Sequence, residues 1–244
     1  MCTLVILRRS EHPWPILLAG NRNEMLNRTW DSPARHWPDR EDVVAGRDRL
    51  SDGSWLGLND NGVAAVLLNR EGTLGQIDGK RSRGELVLEA LDHADAVAAV
   101  QALLDLDARA YRPFNMVIAD NRDAYWLRND GRKTKAFALP EGVTMITARE
   151  ANDPGDPRIA LYLPRFKEVA PPDPETGDWS AWTRLLSERD PEDPSLGLTF
   201  TTDTGYATLS SALIALPAIG SDKQPVFLHA DGAPDQVGYR TVLE

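Results

Sequence analysis

The chain opens Met1-Cys2-Thr3-Leu4-Val5-Ile6-Leu7, and the reading of this stretch decides the fold. Cys2 is the single cysteine among 244 residues and stands directly behind the initiator. Removal of Met1, which a small side chain at position 2 permits, would leave a thiol and a free α-amine on one carbon. An α-amine has an ordinary pKa of about 7.7–8.0, near enough to neutrality to take the thiol's proton. No distant histidine is then required. A second reading stands beside this one: a small buried hydrophobe heading the strand Thr3-Leu4-Val5-Ile6-Leu7.

Such a strand needs a partner. Residues 3–8 and 16–21 are two apolar runs separated by His12-Pro13-Trp14-Pro15, and a hairpin across that turn returns Arg22 towards Cys2. The polar run Asn21-Arg22-Asn23-Glu24 closes the second strand. It reads either as a solvated turn or as a guanidinium presented to the thiol. Within about 4–6 Å of the sulfur, a guanidinium favours the thiolate.

Composition sets the bounds. With 42% hydrophobic and 26% charged residues, the chain is of ordinary globular type, and its length is ample for a real core. We read it as a single domain over 1–244, with about 170–200 as a helical and loop insertion or lid. One cysteine allows no internal disulfide, so a reducing, cytoplasmic setting is expected. The first apolar run stops at Leu7 before Arg8-Arg9, unlike a secretory signal. No window approaches about 18 apolar residues, so no membrane span is expected. A net charge of −10 opposes nucleic-acid binding and serves solubility. Nothing here sets the oligomeric state.

Further along, residues 28–54 are rich in Pro, Asp and Arg and read as an irregular surface or site-lining loop. Residues 54–58 and 62–69 form a strand pair across Asn59-Asp60-Asn61-Gly62, an Asn-Gly turn. Residues 84–106 have helical spacing with a break near Asp92-His93-Ala94-Asp95. A hairpin over 114–120 and 124–128 follows, then short strands at 136–139 and 144–147. Helices are expected over 157–168 and 178–189, with Pro- and Asp-rich loops at 170–177 and 190–197. Strands over 206–216 and 225–229 close the chain. Strand runs with grouped helices between them point to antiparallel sheets covered by helices, not to a βαβ wind. No Gly-x-Gly-x-x-Gly follows a strand, which removes a Rossmann reading.

Four motifs now stand in order: Met1-Cys2, Asn21-Arg22-Asn23-Glu24, Gly53-Ser54-Trp55-Leu56-Gly57 and Arg83-Gly84-Glu85-Leu86-Val87, with Phe114-Asn115 before the central hairpin. Together they resemble the NRDE family, also called the Transport and Golgi organisation protein 2 family, across roughly the first 120 residues. The resemblance implies the fold of the N-terminal nucleophile hydrolases, an α+β four-layer αββα sandwich with antiparallel sheets. The segment from Gly57 to Asn69 is similar to one in bile-salt and penicillin V acylases. By that similarity Asn69 is the oxyanion donor; by its own position it is also a strand-end asparagine satisfying a turn.

On this resemblance the catalytic positions are Cys2, Arg22, Asn23 and Asn69, and the binding positions Glu24, Trp55, Asn152 and Ser210. The chain departs from the pattern at three places. Asn23 stands where the family has aspartate, and Leu209, in Ala207-Thr208-Leu209-Ser210-Ser211, where an arginine of a Gly-Thr-Arg motif is implied. A second asparagine expected near Asn152 falls in an Asn152-Asp153-Pro154-Gly155 turn.

The remaining candidates are weaker. His12, His36, His93 and His229 are scattered without metal-ligand spacing, so no metal site is expected. Covalent haem attachment is excluded by the lack of Cys-x-x-Cys-His. The resemblance does imply non-covalent haem trafficking in some members, with Cys2, His36 or His93 as axial donors that spacing alone does not choose between. Trp30, Trp37 and Trp55 read as core or loop anchors, or as an apolar pocket lining. Glu85, in a first helical turn, suits the helix dipole. Two functions follow: hydrolysis of a non-peptide C–N amide of a small molecule, needing no cofactor, or non-catalytic carriage of haem or an acyl ligand on the same fold.

Overall fold

The apolar run behind Cys2 forms strand β1 (Thr3–Arg8), paired antiparallel with β2 (Ile16–Met25) from Thr3 opposite Asn21 to Arg8 opposite Ile16. A computed structural model describes residues 2–243. Met1, whose removal would expose the amine considered above, lies outside the described residues. Neither run alternates apolar with polar because both strands are buried on both faces. Val5, Leu7, Leu17 and Ala19 pack with Ile159, Phe166 and Trp182, while Leu4, Ile6, Ile16 and Leu18 are buried on the opposite face.

The chain continues through β3 (Trp30–Ala34), β4 (Val43–Asp48), β5 (Leu56–Asn59), β6 (Ala64–Asn69), α1 (Glu85–Leu91), α2 (Ala96–Asp105), β7 (Phe114–Ala119) and β8 (Ala124–Asn129). It then forms β9 (Thr134–Ala138), β10 (Gly142–Ile146), α3 (Pro157–Glu168), α4 (Ser180–Leu186), β11 (Tyr206–Leu216), β12 (Val226–Ala230) and β13 (Arg240–Thr241). Two compact units result: the chain up to Asn27 with that from Pro140 onward, and Arg28–Leu139. The first holds a sheet in the order β10-β1-β2-β11-β12-β13, with α3 packed on β10 and α4 on β2. The second holds a meander in the order β3-β4-β5-β6-β7-β8-β9, with α1 on β5 and β6 and α2 on β7, β8 and β9. The described fold is α+β, with antiparallel sheets that each carry a helix pair.

Local chemistry starts these elements where the sequence suggests. Asp156 caps α3, its carboxylate accepting from the Arg158 and Ile159 amides at 2.9 and 3.3 Å, and Pro157 occupies the first turn, where no amide donor is needed. Asp95 caps α2 in the same way. Gly62 takes φ +84° in the β5–β6 turn, as the Asn-Gly signal requires. No described helix is long and apolar enough to cross a membrane.

Two expectations are corrected. Residues 28–54 are not an irregular loop but carry β3 and β4, paired Trp30 to Asp48 and Asp31 to Arg47. β3 is the sheet edge, where Pro33 forfeits no ladder bond and polar residues suit the exposed rim, so the strand lacks a period-2 apolar signature. The polar run at 21–24 is not a solvated turn: β2 carries on to Met25, with Asn21, Arg22 and Asn23 at 2%, 8% and 1% exposure. Smaller differences are α4, which runs over Ser180–Leu186 and not 178–189, and the two-residue strand β13.

Two of the four sequence motifs meet in the second unit. The Ser54 amide donates to the Gly84 carbonyl at 3.0 Å, and a Cβ on Gly53 would lie 2.5 Å from the Gly84 carbonyl carbon and 2.8 Å from its Cα. Glycine is required there by close backbone approach, and the contact docks the loop before β5 onto the start of α1. Glu85 completes that start, accepting from the Tyr111 hydroxyl at 2.6 Å and pairing with Arg81. A Gly53→Ala substitution must push backbone against backbone, and should lower stability by about 1–3 kcal/mol in chemical denaturation.

Candidate functional site

Cys2 is half-buried at the head of β1. Because Thr3 pairs with Asn21, the next residues out, Cys2 and Arg22, fall on one face of neighbouring strands. The thiol is held by backbone. The Asn23 amide donates to Sγ at 3.2 Å, and Sγ lies 3.5 Å from the Asn23 carbonyl oxygen, to which the thiol donates. Strand alternation turns the Asn23 side chain to the face opposite Arg22, the face on which the Asn21 amide donates to the Leu186 and Leu198 carbonyls at 2.9 Å each.

On the other edge of β2 lies β11, and its register slips beside this site. Thr208 is opposite Asn23 and Ser210 opposite Arg22, so Leu209 is the extra residue of a β-bulge. Ser210 is buried directly across from Arg22. Leu209, where the resemblance implied arginine, is a buried apolar residue instead. Glu24 turns its carboxylate to the Met25 amide at 2.9 Å.

Two residues that sequence reasoning missed complete the surroundings. Tyr206, the first residue of β11, donates its hydroxyl to the Asn23 carbonyl at 3.1 Å. Arg158, in the first turn of α3, is 7% exposed; its Nε donates to the Ser195 carbonyl at 2.6 Å and its guanidinium lies 4.8 Å from the centre of the Phe200 ring. Phe200 in turn packs against Tyr206, ring centres 5.7 Å apart. Burial opposes the charge on Arg158, whereas Asp156, Tyr206 and Cys2 favour it. Burial, then negative charge at Cys2 and Glu24, hold the Tyr206 phenol protonated well above its ordinary range. The only sequence signal for Arg158 was its place behind the Asp156-Pro157 cap.

Of the other expected positions, Asn152 belongs to the first unit with the thiol, and Asn69 and Trp55 to the second. Asn152, in a left-handed conformation at φ +55°, exchanges two bonds with Met145, its amide to the carbonyl at 2.9 Å and its Oδ1 from the amide at 2.8 Å. That pair closes the end of β10. Asn69 ends β6 opposite Phe114 of β7. Trp55 meets Trp30 edge-on at 5.6 Å and lies over Gly46, whose absent Cβ makes the room. Trp37 stands separately in the core, its Nε1 donating to the Asp52 carbonyl at 3.1 Å. His36 Nε2 bonds the Ser32 carbonyl at 2.8 Å. Among the described residues no three His, Cys, Asp or Glu side chains group as metal ligands.

His229 of β12 is fully buried, opposite Ala212 of β11, with Nδ1 at 2.8 Å from Asp231. Asp231 also receives Arg240 of β13 at 3.0 Å, which ties the last two strands of the sheet together. Burial pulls His229 down to about 4; Asp231 pulls the other way, and Arg240 and Arg22 add to the lowering.

The fold defined by these sheets is that of the N-terminal nucleophile hydrolases. Similar structures include the N-acylethanolamine-hydrolyzing acid amidase ortholog of Caenorhabditis elegans, 16% identical with a TM-score of 0.59 over 87% of this chain and 92% of that one. A mutant of the conjugated bile acid hydrolase from Clostridium perfringens is 12% identical, TM-score 0.51, over 100% and 97% of the two chains. Penicillin V acylase from Agrobacterium tumefaciens is 13% identical, TM-score 0.50, over 95% and 83%. At such identities the likeness concerns the fold alone. By its sequence the chain belongs to the Transport and Golgi organisation 2 family, which it matches over residues 1–229. Among curated proteins, nothing matches the chain.

His229 gives a pH test. The unfolded chain binds its proton below about pH 6.5, whereas the folded chain does so only below about 4. Its contribution is therefore complete above the unfolded value and is lost as pH falls towards the folded one. In urea titrations at about pH 7 and about pH 4.5, His229→Gln should show a smaller loss of stability between the two than the parent protein.

Proposed function

We propose that this protein is an N-terminal-cysteine amidohydrolase acting on a non-peptide C–N amide of a small molecule. The observation that carries the reading is the Cys2 thiol at the head of β1, held by both backbone groups of Asn23 and on one strand face with Arg22. The names of the similar structures, an acid amidase, a conjugated bile acid hydrolase and a penicillin acylase, support the substrate class.

The reaction begins after removal of Met1. The Cys2 α-amine takes the thiol proton, and the thiolate attacks the amide carbonyl to form a C–S bond and an oxyanion. As the oxyanion collapses, the C–N bond breaks and the nitrogen leaves with the proton from the α-ammonium. Water, deprotonated by the same amine, then cleaves the thioester and releases the acid. The Asn23 amide donates to sulfur throughout the attack, and Arg22 stands on the same strand face as the thiol.

The competing reading, carriage of haem or an acyl ligand without turnover, is favoured by the apolar Leu209 at the bulge and the neutral Asn23. It predicts a rise in melting temperature on adding haem or an acyl ligand, with no amide turnover by the parent protein. Hydrolysis predicts otherwise: N-acyl amides should be cleaved by the parent protein, with a transient acyl adduct on Cys2 in intact mass, and Cys2→Ala should lower the rate by roughly 10³-fold or more. Met1 retained in the cellular protein would sink the α-amine mechanism.

A further inference from the structure

The Asn23 carbonyl accepts two donors, the Cys2 thiol at 3.5 Å and the Tyr206 hydroxyl at 3.1 Å. The Asn23 amide meanwhile donates to Sγ at 3.2 Å. Ionisation of the thiol treats these contacts oppositely. The amide's bond to sulfur strengthens, because its acceptor has become an anion. The carbonyl loses a donor and turns the negative end of its dipole towards that anion. A second donor already in place on the carbonyl offsets both penalties.

We propose that Tyr206 is a positioning residue for the Cys2 thiolate: its hydroxyl keeps the Asn23 carbonyl satisfied once the thiol has lost its proton. This rests on Cys2 being the reacting nucleophile. The phenol is fixed from several sides. Its ring meets Phe200, which lies beneath the Arg158 guanidinium. Its backbone amide donates to Thr202 Oγ1 at 3.1 Å, and its carbonyl accepts from the Thr202 amide at 2.9 Å. The charged groups around it are Arg22 and Glu24 of β2, Arg158 of α3 and Cys2 itself. Burial and the two negative neighbours keep the phenol protonated, so the donor persists while the thiol titrates.

The sole cysteine makes the test site-specific. The rate of Cys2 alkylation by iodoacetamide is measured against pH for the parent protein and Tyr206→Phe, with melting recorded for both. Tyr206→Phe keeps the ring on Phe200 and removes only the oxygen. Its alkylation midpoint should move up by roughly half a unit to one unit, for the loss of one hydrogen bond. A second variant guards against misfolding: 3,5-difluorotyrosine at position 206 keeps a hydroxyl that donates more strongly, and should move the midpoint down. Midpoints that coincide with the parent in the folded variants overturn the proposal. The assay reads the thiol and needs no substrate, so a failure to find amide hydrolysis leaves its outcome intact.

Discussion

Backbone hydrogen bonding along β2 is the constraint on which the site depends. The strand stays extended through Asn21-Arg22-Asn23-Glu24, and only an extended chain brings the amide and carbonyl of Asn23 abreast of Cys2. Burying so polar a run is costly unless its groups are bonded. β11 meets that need along one edge of β2; on the other, β1 pairs with Asn21 and the Cys2 thiol bonds Asn23. Asn21 adds side-chain bonds to the carbonyls of Leu186, the last residue of α4, and of Leu198 beyond it, so the helix layer and the strand are fixed to each other. The bulge at Leu209 is the irregularity in the β2–β11 ladder, and it falls beside Arg22 and Asn23. Bulges re-aim side chains locally, which makes this one part of how the site is shaped.

The motifs that recur in order along the chain do different kinds of work. Cys2 and residues 21–24 come together at the thiol. Gly53, Ser54, Gly84 and Glu85 serve architecture: two glycines let backbones touch, and a carboxylate secures the start of a helix. Asn152 likewise spends its side chain on the end of β10. A motif residue is thus a chemical group in one place and a geometric necessity in another, and only contacts tell them apart.

What was legible follows from how local each signal is. Apolar runs gave β1, the first part of β2, and β5 to β8; helical spacing gave α1, α2 and α3. The strands β3 and β4 were hidden because an edge strand tolerates Pro33 and pairs charged residues across its ladder, which erases alternation. The extent of β2 was hidden for the converse reason. Four polar residues read as solvent-facing unless their partners are known, and those partners lie on β11 and near residues 186 and 198, far along the chain.

By itself the sequence determined an α+β chain of antiparallel sheets with helices grouped against them, a lone thiol at the head of the first strand, and an arginine returned beside it by a hairpin. These depend on residue type and on neighbours within a few positions, so spacing is enough to reveal them. Only the tertiary structure decided that the thiol's partners are the backbone of Asn23, and that Tyr206 and Arg158 line its surroundings. Those residues arrive from the start of β11 and the first turn of α3, brought in by strand pairing and helix packing over more than 150 positions of chain. Sequence-distant burial, with the hydrogen bonds it compels, leaves no local pattern to read.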